Sequence, residues 1–153
     1  MQSRPTTEQI LNDLAREVKE SILPEVSDPT QKVNFEMMEQ LLRACAKRSA
    51  HEIAWMSSEV KEIEKLAIDI LAIEDDLHLA ETLKKYQTQK SESLHLEDQV
   101  QNYHLAGKLF EQLIGTVFEI RDKIFSNRLT ELIRSRSEHE RELINDFYFP
   151  GRS

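Results

Sequence analysis

From Thr30 to Ala106 the chain contains neither glycine nor proline. Alanine, leucine, glutamate, lysine, glutamine and methionine dominate this run, and these are the residues that lose least on entering a helix. A segment of that length without chain-breaking residues has no turns to offer a sheet, so long helices must fill it. The whole chain of 153 residues has only three glycines and four prolines, with 39% hydrophobic and 31% charged residues. Together these predict an all-α protein, a single domain over 1–153 large enough to bury a real core.

Apolar spacing divides the run. Leu11, Leu14, Val18 and Ile22 form the stripe of a first, short helix, with Thr6 or Thr7 as its cap and Pro24 as its end. Ser27-Asp28-Pro29 restarts the chain, with proline at a first helical position, where its missing N–H costs nothing. From there an apolar or small residue recurs at Met38, Leu42, Cys45, Ser49, Ile53, Met56, Val60, Ile63, Ala67 and Ile70, in steps of three and four. That is the seam of a packed helix. Unbroken from Thr30 to Ile73 it would span about 66 Å, so a kink or break near Ser57-Ser58 is expected, though no proline forces it. On the same helix Glu36, Glu39, Gln40, Arg43, Lys47 and Lys61 form a face that reads as solvated.

The polar stretch from Tyr86 to Ser93 is the predicted reversal. A second seam follows at Val100, Tyr103, Gly107, Phe110, Ile114, Val117 and Ile124, with Gly107 placed to let a neighbouring helix approach. A last stretch carries Leu129, Leu132, Ile133 and Leu143, either separate or continuous with the helix before it, and DFYFPGRS should leave the helix. The expected architecture is an antiparallel bundle of about four helices, two of them long.

A net charge of -8 disfavours nucleic acid and anionic membrane as partners, because both are held mainly by lysine and arginine. The segment Arg121 to Arg141 has a basic excess of only two and reads as a solvated face. Cys45 is the sole cysteine, which excludes an intrachain disulfide or a cysteine-based zinc cluster and fits a reducing, cytoplasmic setting. There is no basic leader at the N-terminus and no apolar run near the roughly 18 residues of a membrane span. Nucleophile elbow, glycine-rich phosphate loop and dinucleotide fingerprint are all missing, so no catalytic residue and no cofactor is expected.

Three constellations remain. CAKRSAHEIAWM, from Cys45 to Met56, separates on a helical wheel into a packed row with Cys45, Ser49, Ile53 and Met56, and a second face with Arg48, His51 and Trp55. The second face is expected to be a contact surface, with a small-ligand pocket beside Trp55 as a weaker reading. Asp75-Asp-Leu-His78 and Glu92-Ser-Leu-His95 have the spacing by which helical bundles hold metals, and a reversal at Tyr86 to Gln87 would set Asp75, His78, Glu92 and His95 opposite one another. His104 with Glu111, and His139 with Glu142, read as ordinary polar contacts.

The opening RPTTEQILNDLAREVKESILPEV, with MMEQLLR and AHEIAWM further on, resembles a family of small bacterial all-helical proteins of unknown function, over roughly the first 60 residues. Some members accompany phosphotransferase-like or acyl-CoA dehydrogenase-like enzymes. The resemblance implies a bacterial accessory protein and carries no activity onto any residue. Apolar rows wider than one domain can bury point the same way, to a protein partner or a homodimer. The alternative is a metal-binding bundle using the four residues above.

Overall fold

The computed structural model describes residues 4–144, without the side chains of 143 and 144, and every described element is helical. The predicted DFYFPGRS tail lies outside the described residues. Helix α1 spans Thr7–Glu17, α2 Pro29–Leu71, α3 Leu77–Gln89, α4 Leu96–Ile120 and α5 Lys123–Ile144. The all-α bundle expected from composition is what the chain forms. Contacts group it into two compact units, Met1–Glu52 with His139–Ser153, and Ile53–Glu138.

In the first unit α1 opens with a reciprocal cap: Thr6 Oγ1 accepts from the Gln9 N–H at 3.2 Å, and Gln9 Oε1 accepts from the Thr6 N–H at 2.9 Å. The helix then widens into a π-helical segment, Val18–Ile22, and tightens into a 3-10 turn, Leu23–Glu25. Pro24 accounts for this, since it brings no N–H to the ladder and its ring collides with the carbonyl four residues back. Asp28 then accepts the N–H of Thr30 at 2.8 Å, and Pro29 starts α2. The 43 residues of α2 run on through Ser57-Ser58 without a break, so the interruption expected there does not occur.

The second unit is a four-helix antiparallel bundle. Glu64 of α2 receives Gln87 and Lys90 from the far end of α3. Asp76 and Ser91, flanking α3, bond to Thr116 and Asn102 of α4. Asp69 and Glu59 of α2 meet Arg128 and Arg136 of α5. Each pairing reverses chain direction, so α3 and α5 run against α2 and α4. The core takes Val60, Ile63, Ala67 and Ile70 from α2, as the seam predicted, with Leu79, Leu83 and Tyr86 from α3 and Phe125, Leu129 and Leu132 from α5. Burial and the nearby carboxylates of Glu64 and Glu92 push the Tyr86 phenol up to about 12.

Two expectations about α4 are corrected. Its buried row is Asn102, Ala106, Leu109, Leu113 and Thr116, with Phe110 and Val117 alongside, whereas Val100 and Ile124 of the expected seam are exposed. The true row is bracketed by two polar residues, which concealed it from a reading based on apolar spacing. Gly107 is not a site of close approach, because a Cβ there would meet nothing within 4 Å. The reversals also differ. The first falls at 72–76, where Asp76 caps α3, and a second, at 90–95, separates α3 from α4. A third break at Arg121-Asp122 divides α4 from α5, so the last stretch is a separate helix.

Candidate functional site

The amino-terminal half of α2 carries two faces of different character, and they depart from the expected ones. Phe35, Glu36, Glu39, Gln40 and Lys47 are half-buried, and Ala46 is buried. On this protected face the Glu39 carboxylate takes the Arg43 guanidinium, and Lys47 Nζ donates to the Glu142 carbonyl at 2.8 Å. So most of the row read as solvated is the covered one. On the other side of the helix Met37, Met38 and Leu41, with Val33 at its edge, are between 39% and 50% exposed. Of the row expected to be packed, Met38, Cys45 and Ser49 are exposed and Leu42 is half-buried. Apolar spacing marks one side of a helix, but it does not say which neighbours lie within reach of it.

Arg48, His51 and Trp55 follow on the same helix. Arg48 is exposed and its Nη2 lies 2.7 Å from Glu52 Oε1, one turn on. His51 is exposed and Trp55 half-buried. Arg48 and His51 lie on the side of α2 that carries the exposed apolar row, whereas Trp55 belongs to the second unit.

The four residues of the metal alternative fall at opposite ends of α3. Asp75 and His78 flank its start, whereas Glu92 lies in the following connection and His95 at the head of α4. The 13 residues of α3 set the two pairs about 18 Å apart along its axis. Among the described residues no group of three or more His, Cys, Asp or Glu could hold a metal ion. What the first reversal builds instead is a cap. Asp76 accepts the Leu79 N–H at 2.9 Å and the Thr116 hydroxyl at 2.6 Å, and the bond from Thr116, then that from Leu79, hold its carboxyl below the usual range.

A cleft of about 280 Å³ in the second unit gathers residues that sequence reasoning did not join. Glu59, with a side chain only 9% exposed, accepts the Tyr103 hydroxyl at 2.9 and 3.0 Å. Arg136 lies 3.7 Å from Glu59, its guanidinium 5.4 Å from the centre of the Tyr103 ring. His104, Gly107, Lys108 and Glu111 line the remainder, so the His104–Glu111 pair does share a face. Glu59 thus links three helices, taking the Tyr103 hydroxyl of α4 and facing Arg136 of α5. Residues 44 and 33 apart in sequence carry no local spacing by which this triad could have been found.

No protein-family model, no curated protein and no solved structure matches the chain. None of its described helices is long and apolar enough to cross a membrane. Function has to be argued from these residues themselves.

Proposed function

We propose that this is a non-catalytic interaction or accessory protein of the cytoplasm, which works by presenting a helix face to another protein chain. The observation that carries the reading is the exposed row Val33, Met37, Met38 and Leu41 on α2. Scattered exposed apolar residues need no explanation, but a contiguous row on one helix, opposite a covered polar face, marks a contact surface. Arg48 and His51 extend that side of α2 with groups that suit the rim of an interface, an arginine and an imidazole. A net charge of -8 supports protein, not nucleic acid or anionic lipid, as the partner. A single cysteine, left as a thiol, is in keeping with a reducing compartment.

The reading is tested by Met37→Gln with Leu41→Gln. If the row contacts another chain, helicity and the urea midpoint measured in dilute solution stay close to the parent's, since the half of each side chain that the single chain leaves in water is covered only on association. A loss of more than about 3 kcal/mol in folding stability, the scale of a core deletion, would show the row to be internal packing and sink the reading.

A further inference from the structure

The question left by that reading, on which this inference rests, is what covers the α2 row. We propose that it is a second copy of the same chain, the two α2 segments crossing about a two-fold axis near Met38 and Leu41.

The first argument is area. Taking about 200 Å² for a fully exposed residue of this size, the exposures of Val33, Met37, Met38 and Leu41 amount to roughly 360 Å² of largely apolar surface per chain. Two copies supply about 720 Å². An interface at the lower end of the stable range, about 1,300 Å² in total and a little over half apolar, requires about that amount. One row meeting its own copy therefore reaches the size a specific dimer needs, with the polar residues of the face supplying the rest.

The second argument is charge. Through a two-fold axis every patch faces itself, so a charged residue near the axis meets a like charge, at a cost of several kcal/mol when juxtaposed. The chain carries -8, and 31% of its residues are charged. Yet the exposed positions on this side of α2 from its start to Cys45 are Thr30, Gln31, Val33, Asn34, Met37, Met38, Leu41 and Cys45, none of them charged. The first charges on that side are Arg48 and Glu52, which neutralise each other at 2.7 Å. A partner of complementary charge would find nothing here to recognise, whereas a copy of the same face finds nothing to repel it.

The test combines mass in solution with the reactivity of Cys45, which is exposed on this face and the chain's only cysteine. Light scattering on the full chain, from about 1 µM to about 200 µM, should give twice the chain mass, and maleimide alkylation of Cys45 should slow about tenfold or more as the dimer forms. Met38→Glu with Leu41→Glu should be monomeric at all concentrations with Cys45 alkylated fast. Phe118→Glu, at an exposed position of α4, should leave both readouts as in the parent. A parent chain that stays monomeric with a fast Cys45 overturns the second copy and leaves the contact face standing for another protein. A monomer with a slow Cys45 overturns both, since the chain then covers the face itself. A dimer indifferent to Met38→Glu with Leu41→Glu, or broken by Phe118→Glu, places the interface elsewhere and overturns the proposal.

Discussion

Arg121 closes α4 in the left-handed region, with φ 57° and ψ 25°, and its N–H reaches back to the Val117 carbonyl at 3.2 Å. Glycine is the usual residue here because a Cβ in this conformation crowds the backbone. Arg121→Gly should therefore raise folding stability by about 0.5–1 kcal/mol, the relief of strain outweighing the added freedom of the unfolded chain. Urea denaturation measures it, and a net loss would mean that the arginine side chain contributes more than its backbone costs. Asp76 makes the opposite kind of point. Its carboxyl is held below the ordinary value by the Thr116 hydroxyl and the Leu79 N–H, so the folded state releases that proton more readily than the unfolded state. The resulting stability is fully present above the unfolded value near 4 and disappears as pH falls through the lower, folded one. Asp76→Asn keeps an acceptor for the cap but no charge; the gap between parent and variant should be widest near pH 6 and close below about pH 4. A gap independent of pH would remove the carboxylate from the account. Neither residue stood out in the sequence. A left-handed arginine carries no glycine to announce it, and Asp76 was one acid among many until the helix beginning at Leu77 gave it donors.

At the scale of helices, the connection from α3 to α4 is held by buried polar residues. Asn102, 6% exposed, accepts the Ser91 N–H and donates to the Ser91 carbonyl, both at 2.8 Å, and Gln99 donates to the Ser93 carbonyl at 2.6 Å. Asn102→Ala leaves two backbone groups without partners beside the core and should cost about 2–3 kcal/mol. Asn102→Leu should not recover that loss, although it restores volume, because the missing quantity is hydrogen bonding; recovery of the urea midpoint by leucine would refute the assignment. The same residues explain what could be read in advance. The α2 seam from Val60 to Ile70 was legible because its neighbours belong to the same chain and bury it as periodicity requires. From Met38 to Ser49 the same periodicity marked Met38, Cys45 and Ser49, which stay exposed, since spacing records one side of a helix and not which neighbours lie within reach of it. In α4 the buried row was missed by about one position, because Asn102 and Thr116 satisfy themselves through Ser91 and Asp76, contacts that no local pattern encodes. Reversals at 72–76 and 121–122 were hidden for a similar reason: aspartate caps make them, without glycine or proline.

For the molecule as a whole, charge and apolar contact pull in opposite directions, and salt separates them. Two chains of -8 repel as they approach. That repulsion extends over about 30 Å at 0.01 M salt and about 8 Å at 0.15 M. The face proposed for self-association contains no charge between Thr30 and Cys45, so screening removes the repulsion without weakening the contact, and salt does not diminish the transfer of apolar surface from water. The dimer should therefore tighten as salt rises, its Kd falling about three- to tenfold between 0.01 M and 0.15 M sodium chloride by sedimentation equilibrium. An interface built on ion pairs, such as one using the basic segment of α5 against the acids near Glu74, would behave oppositely, with Kd rising over the same range. Because the two geometries predict opposite signs, a weakening with salt would exclude the α2 face as the principal contact even if the mass in solution were that of a dimer.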